Sequence, residues 1–411
     1  MKRFTALALV FSVLAAGALC ACDNEENQTS VEGSKTESTA SEVSQESENP
    51  VSDISAVTSK PEITTSQLEQ INSFLNQYKD IPDFSAQSET IDAEEISKDK
   101  TITLISDNSN NSFTSLVASQ FKTAANSAGF AKVSAGESDG TAAYYNQVLS
   151  DAVGSSDIII MYGDINKDTV AASIEQTQAN GIKVLSAGNV GKGEKDHYVD
   201  YSVPINYQLA GKLLADWAVS KNKAKVNALA INNSDSTLSS SIYTGFADEF
   251  QKYVTSGYCT VLSGSKIEVG NGLATKIRQA IDNDPNLNYV IVLDDSMISD
   301  AVSGVEQSGK SNIKIISTGG SVEAFNAAES GKIEMLVAQS YEWTAYAMVD
   351  YALRVMNHSS LPEEQDVPVR IVTEESIKND MKNNTYSDID GFYEICFGDR
   401  FVSGYSTLWD L

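Results

Sequence analysis

Short apolar runs alternate with apolar positions at helical spacing along most of the chain. Runs such as Ile102–Ser106 and Tyr289–Leu293 have the length of buried strands. The segment Tyr341–Met356 has helical periodicity, and glycines such as Gly181 and Gly309 follow predicted helices. Repeated strand–helix pairs predict parallel sheets covered by helices on both faces. About ten such units exceed one ordinary open sheet, so the pattern predicts an α/β protein with two lobes.

The first residues have the pattern of an export signal. Lys2 and Arg3 precede an apolar run over residues 4–19, which is shorter than the ~20 residues of a membrane-spanning helix. The quartet Leu19–Cys22 (LCAC) resembles the lipobox of bacterial lipoproteins. We therefore expect a lipoprotein signal peptide over residues 1–22 with Cys22 as the lipidated residue, and a plain cleaved signal is the alternative. Both interpretations predict an extracytoplasmic protein. Lipidation predicts a protein that is anchored to the cell membrane by a lipid and lies on the outer face of the cytoplasmic membrane or in the periplasm.

Residues 23–60 differ in composition from the rest of the chain. They are rich in Ser, Thr, Glu, Asn and Gln and almost lack large apolar side chains, so we expect a disordered acidic linker. A flexible segment of this length reaches roughly 30 to 40 Å. Residues 61–99 are expected to form an N-terminal extension with one helix, whose first turn is capped by the pair Ser66 and Glu69.

The charge of the chain restricts its partners. A net charge of -27 excludes nucleic acid as an expected partner, because phosphates would be repelled. Two of the four cysteines lie in the signal, and the sequence leaves open whether Cys259 and Cys396 form a disulfide. No later segment is long and apolar enough to cross a membrane.

Polar side chains follow the predicted strands. Open α/β sheets bind ligands beyond the carboxyl ends of their strands, and Asp107, Asn189, Asp235 and Asp294 occupy such ends here. Carboxylates and amides bind the hydroxyls of a polyol, and a ring can stack on the C–H face of a sugar. The alternative is that these residues only cap the helices that follow. Because many such ends meet in one cleft, we expect a ligand-binding site there.

From about Lys100 to Arg370 the chain resembles the ribose and galactose class of bacterial sugar-binding proteins, the solute receptors of ABC importers. The matching motifs are Asn110-Asn111-Ser112-Phe113, Leu293–Met297, Ala338-Gln339 and the C-terminal Tyr405–Leu411. The resemblance implies the type I periplasmic binding protein fold, with two Rossmann-like lobes and parallel sheets joined by a three-strand hinge. It assigns residues 100–203 plus 341–366 to lobe 1, and residues 204–340 plus 367–411, which include the C-terminal tail, to lobe 2.

The resemblance also implies ligand contacts. Asn111 and Phe113 stand where the family has an amide and a stacking ring, and Asp294 and Gln339 match two further contacts. Trp343, just after a hinge, is a candidate for an additional ring, with a core position as the alternative. The Asp-Arg pair that the family has after the fourth strand is replaced by Ala187-Gly188, and an Asp of the second lobe is replaced by Gly319. These replacements argue against ribose itself and favour a bulkier or differently functionalised ligand.

Other chemistries have weaker support. The segment Asp164–Asp168 imitates the start of a calcium loop, but Thr169 stands where the sharp turn needs glycine, so we expect Asp168 to be a helix N-cap instead. Residues 188–193 resemble a phosphate loop only faintly, because no helix follows. The two histidines have no spacing for a metal site or a catalytic triad. We therefore expect no metal, no cofactor and no enzymatic activity.

Three functional classes follow, in order of support. The first is a monomeric, lipid-anchored solute-binding protein that captures a small molecule, expected to be a carbohydrate, and delivers it to an ABC transporter permease. The second is a sensor of the same fold that signals to a membrane kinase or chemoreceptor. The third, an extracytoplasmic enzyme, is disfavoured because no nucleophile and base are found together.

Overall fold

The structure is a computed structural model that describes residues 62–85, 88–107, 112–136, 138–188, 195–233, 236–255, 260–261, 267–268, 272–365, 367–383 and 396–411. The expected signal peptide, the lipidation site Cys22 and the acidic linker lie outside these residues. No helix in the described part of the chain has the length and apolar character needed to cross a membrane.

The first lobe is built on a five-stranded parallel sheet. Its order is β2-β1-β3-β4-β5, with strands β1 (Thr101–Ser106), β2 (Lys132–Ala135), β3 (Ile158–Tyr162), β4 (Lys183–Ala187) and β5 (Tyr201–Val203). The helices of this lobe are α3 (Ser112–Ser127), α4 (Ala142–Ala152), α5 (Ala171–Ala179) and α11 (Tyr341–Met356).

Strand β3 shows why this sheet is covered on both faces. Ile158 and Ile160 belong to the core cluster that includes the buried residues of α3 and α11, whereas Ile159 and Met161 belong to the cluster formed with α4 and α5. All four side chains are buried, because successive residues of a strand point to opposite faces of the sheet. An uninterrupted apolar run is therefore the expected sequence of such a strand.

The second lobe contains a seven-stranded sheet. The order is β12-β11-β10-β9-β6-β7, and β8 also pairs with β6; all pairs are parallel except β11 with β12. The strands are β6 (Asn227–Asn232), β7 (Thr260–Val261), β8 (Ile267–Glu268), β9 (Tyr289–Val292), β10 (Lys314–Gly319), β11 (Met335–Gln339) and β12 (Val369–Val372). The helices are α6 (Gln208–Lys221), α7 (Thr237–Thr255), α8 (Leu273–Asn283), α9 (Ile298–Ser308), α10 (Val322–Glu329) and α12 (Glu374–Asn383).

Three chain crossings connect the lobes, as predicted. They are β5 to α6, β11 to α11, and α11 to β12. The first and third crossings pair with each other: Ile205 forms a bridge with Gln365, whose N–H donates to the carbonyl of Pro204 at 2.8 Å. The amide of Asn206 also donates to the carboxylate of Glu364 at 3.1 Å. These bonds hold two of the crossings side by side.

The N-terminal extension contacts both lobes. It has two helices, α1 (Thr65–Asn76) and α2 (Ala93–Ser97), where the sequence predicted one. Helix α1 packs on α6 of the second lobe, and α2 packs on α11 of the first. The capping box predicted at Ser66 and Glu69 is instead formed by Thr64 and Gln67, because the helix begins at Thr65. The same capping chemistry is used two residues earlier.

The last helix, α13 (Arg400–Leu408), packs on α11 of the first lobe. The sequence grouped this tail with the second lobe, and aromatic packing explains the difference. Phe401 stacks on Trp343 with ring centroids 4.9 Å apart, and Trp409 stacks on Tyr346 at 5.7 Å. The indole N–H of Trp409 also donates to the buried carboxylate of Asp350 at 3.0 Å.

The N-cap that the sequence predicted at Asp168 is formed by a different residue. Asn166, not Asp168, provides the cap: its side-chain oxygen accepts the N–H of Asp168 at 3.2 Å and starts a 3-10 helix over Lys167–Thr169, and α5 begins only at Ala171.

Cys396 is a buried free thiol, and Cys259 lies outside the described residues. Burial raises the pKa of Cys396 to about 12.

Candidate functional site

A cavity of about 280 Å³ lies between the two lobes. This volume is near the lower end of the ~300 to 1,000 Å³ typical of small-molecule sites. Its lining residues come from lobe 1 (Asp107, Thr114, Tyr162, Gly163, Asp164), from lobe 2 (Asn233, Ser236, Leu238, Ser239, Ile242, Leu293, Asp294, Asp295, Ser296, Thr318, Gly319, Gly320), and from the crossing after β11 (Gln339).

The sheet topology explains why these residues meet. Asp107 follows the last residue of β1, and Asp164 comes two residues after the end of β3. In the second lobe, Asn233 follows β6, Asp294 comes two residues after β9, and Gln339 ends β11. The carboxyl ends of parallel strands lie at one edge of a sheet, and here those two edges face a common cavity.

On the lobe 1 side, Asp107 organises the turn after β3. Its carboxylate oxygen Oδ2 accepts the backbone N–H of Asp164 at 3.1 Å. Gly163 lies between Tyr162 and Asp164 and has φ +86°. A Cβ on this residue would lie 2.5 Å from Oδ2 of Asp107. Only glycine satisfies both conditions, so the sequence Tyr162-Gly163-Asp164 fixes the backbone beside the cavity.

Asp164 connects the two lobes. Its Oδ1 accepts the backbone N–H and the hydroxyl of Thr237, both at 2.6 Å, and the N–H of Leu238 at 3.4 Å. Thr237 and Leu238 are the first residues of α7, so the carboxylate of one lobe binds the N-terminus of a helix in the other. The free N–H groups and the dipole at a helix N-terminus favour a negative charge there.

Asp294 both caps a helix and lines the cavity. Its Oδ1 accepts the N–H of Ser296 at 3.1 Å and the Ser296 hydroxyl at 2.6 Å, which starts the short 3-10 helix Asp295–Met297. Its Oδ2 lies 3.4 Å from the side-chain amide nitrogen of Asn233, which donates to it. Asp294 therefore caps this helix, as the alternative interpretation predicted, and it also lines the cavity, where a ligand contact stays a prediction.

The neighbouring Asp295 is held by the loop after β10. Its Oδ2 accepts the N–H groups of Gly320 and Ser321 at 3.0 and 2.9 Å. A Cβ on Gly319, which has φ +150°, would lie 2.3 Å from this oxygen, so the glycine allows the close approach. Burial, together with the neighbouring carboxylate of Asp294, raises the pKa of Asp295 although both N–H groups lower it.

Gln339 and Tyr162 form parts of the wall that are almost fully buried. Gln339 is 7% exposed, and its Nε2 donates to the hydroxyl oxygen of Thr318 at 3.0 Å. That hydroxyl in turn donates to the carbonyl of Val337 at 2.9 Å, which fixes the amide orientation. Burial raises the pKa of the Tyr162 hydroxyl well above its ordinary value, as does the neighbouring Tyr207, so Tyr162 is neutral.

The structure brings together three of the residues predicted from sequence, namely Asp107, Asp294 and Gln339. Asn111, Asn189 and Asp235 lie outside the described residues, and Phe113 is the second residue of α3.

Trp343 is placed in the core and not at the cavity. It is 1% exposed, and the rings of Phe401 and Phe84 stack on it at 4.9 and 6.0 Å. Its position at the start of a buried helix explains this placement. Asp164 and Asp295 were not among the predicted contacts, although Asp164 follows the end of β3 by two residues and Asp295 follows the end of β9 by three.

The arrangement suits binding of a small polar molecule. Within the described part of the chain, no group of three or more His, Cys, Asp or Glu side chains is positioned to hold a metal ion. The cavity instead presents carboxylates, an amide and hydroxyls, together with the apolar side chains of Leu238, Ile242 and Leu293. Such a wall can bind hydroxyl groups and cover the apolar face of the same molecule.

Residues 102–360, more than half of the chain, match the family model of the periplasmic binding protein domain. The chain therefore belongs to the periplasmic binding protein domain family, whose members bind ligands and are not catalysts. This membership confirms the family predicted from sequence and the expectation that the protein is not an enzyme. No functionally curated protein matches the chain.

Solved structures of similar fold agree with this assignment. An ABC transporter solute-binding protein from Agrobacterium vitis with bound allitol is 14% identical, with a TM-score of 0.59 over 70% of this chain and 99% of that protein. A second protein from Agrobacterium vitis, bound with alpha-D-tagatopyranose, is 17% identical, with a TM-score of 0.58 over 68% and 96%. A 5-methylthioribose transporter solute-binding protein from Thermotoga lettingae is 16% identical, with a TM-score of 0.59 over 77% and 98%. These matches confirm the type I periplasmic binding protein fold.

Proposed function

We propose that this protein is a lipid-anchored, extracytoplasmic solute-binding protein of an ABC importer. It captures a sugar or sugar-like small molecule between its lobes and delivers it to the import permease. Membership of the binding-protein family supports the capture of a small molecule. The polyhydroxylated ligands of the structurally similar proteins from Agrobacterium vitis support the ligand class.

The observation that carries this proposal is the cavity at the facing carboxyl ends of the two sheets. Its volume of about 280 Å³ suits one monosaccharide-sized molecule and not an extended oligosaccharide. Asp107, Asp294 and Gln339 are the proposed polar contacts, because each is fixed by the fold and borders this volume.

The proposed mechanism is hinge closure. The three crossings form the hinge, and a ligand that touches both lobes stabilises the closed form, which the permease then recognises. The bond between Asp164 and Thr237 belongs to this closed form, because it joins residues of different lobes and Asp164 also lines the cavity. The ligand and this contact would therefore both stabilise the closed form.

The anchor is proposed from the N-terminal sequence. Residues 1–22 would direct export, Cys22 would carry the lipid, and residues 23–60 would tether the binding domain to the membrane surface. Labelling of cells with a radioactive fatty acid tests this directly. Incorporation should be lost in Cys22→Ser and retained in Cys20→Ser; labelling of Cys22→Ser would contradict the anchor.

The binding function is tested by thermal shift with a panel of sugars, polyols and nucleosides. A stabilising ligand should raise the melting temperature of the wild-type protein, and Asp294→Ala and Gln339→Ala should abolish that rise while the unliganded variants stay folded. Asp300→Ala is the matched control, since Asp300 is an exposed residue of α9 outside the cavity. An undiminished rise in both cavity variants would place the site elsewhere.

A further inference from the structure

The described lining of the cavity has an unbalanced charge. Four of its described lining residues are aspartates (Asp107, Asp164, Asp294 and Asp295), and none of the described lining residues is Lys, Arg or His. A site for a neutral sugar needs donors as well as acceptors, and charged donors are the strongest of these. All the charged side chains of the described wall are therefore acceptors.

Elsewhere in the described protein, buried carboxylates are paired with cations. Asp350 contacts the fully buried Arg354 at 2.9 Å, and Asp196 contacts Lys167 at 2.8 Å. Asp216 contacts Lys212 at 2.9 Å. These pairs follow the general rule that a carboxylate removed from water is compensated by an opposite charge.

Three of the cavity aspartates, which are only partly buried, have neutral hydrogen-bond partners instead. Asp164 is bound by Thr237 and Leu238, Asp294 by Ser296 and Asn233, and Asp295 by Gly320 and Ser321. No ion pair to Lys or Arg is found for these three side chains among the described residues. The N-terminus of α7 partly offsets the charge of Asp164. Each of the three carboxylates still keeps its charge, and lobe closure brings these charges together in a partly enclosed volume.

The environment of Asp295 is consistent with uncompensated negative charge. Burial and the adjacent Asp294 raise its pKa, although two backbone N–H groups act in the opposite direction. A cation that entered the cavity with the ligand would relieve this repulsion.

We infer that the ligand is a polyhydroxylated molecule that carries a protonated amine, such as an amino sugar or an amino polyol. This inference rests on the proposed function and specifies its ligand class. The ammonium group pairs with the cavity carboxylates, and the hydroxyls bind to Gln339 and to the serines of the lobe 2 wall. A metal ion is not the proposed cation, since the described acidic side chains do not converge into a metal site.

The test uses matched pairs in which an amine replaces one hydroxyl. D-glucosamine is compared with D-glucose, D-galactosamine with D-galactose, and 1-amino-1-deoxysorbitol with sorbitol, by isothermal titration of the full mature protein. In at least one pair the amine should bind tenfold or more tightly, which corresponds to about 1.4 kcal/mol. Raising the salt concentration should reduce the affinity for the amine more than for its neutral partner.

Variants then locate the charge. Asp294→Asn keeps the side-chain shape and removes one negative charge, and it should lower the preference for the amine about tenfold, as expected for one charge-assisted hydrogen bond. Asp295→Asn is the second variant and should act in the same direction. Asp300→Asn removes an equal charge from an exposed position of α9 and should leave the preference unchanged.

The outcomes separate this inference from the proposed function. Equal or tighter binding of the neutral member in every pair that binds overturns the inference and leaves the solute-binding function intact. Absence of binding for every member of every pair counts against both. A preference for the amine that Asp294→Asn and Asp295→Asn both leave unchanged places the cation outside these carboxylates and also overturns the inference.

Discussion

The carboxylate of Asp164 in lobe 1 accepts two hydrogen bonds from Thr237 in lobe 2, one from its backbone N–H and one from its hydroxyl. Both bonds are 2.6 Å long, and they join the turn after β3 to the first residue of α7. Asp164 also lines the cavity between the lobes. The geometry of its contact with Thr237 is that of a helix cap supplied by the opposite lobe.

The first prediction concerns this contact between the lobes. Asp164→Ala should shift the protein toward the open form, because the N-terminus of α7 loses an acceptor worth about 1 to 2 kcal/mol in comparable caps. Apparent ligand affinity should fall about five- to thirtyfold, since closure and binding are coupled. Small-angle scattering of the ligand-bound protein should show a larger radius of gyration than for the wild type.

Thr237→Val is the graded control for Asp164→Ala. It removes the hydroxyl donor but keeps the backbone N–H, so its effect on affinity should be smaller. Equal affinity and equal radius of gyration for wild type and Asp164→Ala would show that the contact has no part in closure.

The second prediction concerns the close packing of helices α6 and α7. A Cβ on Gly245 would lie 2.0 Å from the carbonyl oxygen of Gln208, so the helices must separate if a side chain is added. Gly245→Ala should therefore lower the free energy of unfolding by about 3 kcal/mol, at the upper end of overpacking costs. Thr244→Ala, at the adjacent exposed position, should change it by less than about 0.5 kcal/mol. Urea unfolding measures both, and similar values for the two variants would contradict the close packing.

The third prediction concerns the N-terminal extension. Phe84 is half-buried and contacts Tyr405 and Trp343, with ring centroids 4.9 and 6.0 Å apart. Phe84→Ala should destabilise the protein by about 2 kcal/mol, less than for a fully buried Phe. Ile81→Ala is the control from the same segment, since Ile81 is 40% exposed. If both variants melt at the wild-type temperature, the N-terminal extension does not contribute to the stability of the two lobes.

The fourth prediction is a pH dependence of stability. The pKa of Asp295 in the folded protein is raised from 3.8, so the folded state binds this proton more tightly than the unfolded state. Stability is therefore lost as the pH rises from about 4 through the folded-state pKa, and the loss is constant above it. Relative to wild type, Asp295→Asn should gain melting temperature between pH 4 and 7 in the absence of ligand. Asp300→Asn should show no such trend, and a flat difference for Asp295→Asn would contradict the raised pKa.

Much of the fold could be predicted from the sequence because buried elements have strong patterns. Helix α11 begins and ends where its periodicity predicts, at Tyr341 and Met356, and its 16 residues are nearly all buried. Strand β2 (Lys132–Ala135) could not be predicted in this way, since it lies at the sheet edge and none of its residues is fully buried. The helix start at Thr65 was missed because Thr64–Gln67 and Ser66–Glu69 both satisfy the capping-box pattern.

The site was only partly predictable for a related reason. Asp107, Asp294 and Gln339 follow from their position at strand ends, which the periodicity of each strand defines. The role of Asp164 depends on Thr237, which is 73 residues away and in the other lobe, so no local pattern indicates it. Trp343 was predicted as a possible ligand contact but lies in the core. A ring next to a hinge has the same sequence pattern whether it faces a ligand or the core, so the sequence could not distinguish the two positions.

The most direct test of the account is native mass spectrometry of the mature protein purified under mild conditions. We predict a complex with one small polar molecule per chain, which is released on denaturation and identified in the soluble fraction as an amine-bearing polyol or sugar. The double variant Asp294→Ala, Gln339→Ala should carry no such molecule, whereas Asp300→Ala should carry it as the wild type does. The same molecule bound at full occupancy to the double variant would contradict a ligand site between the lobes.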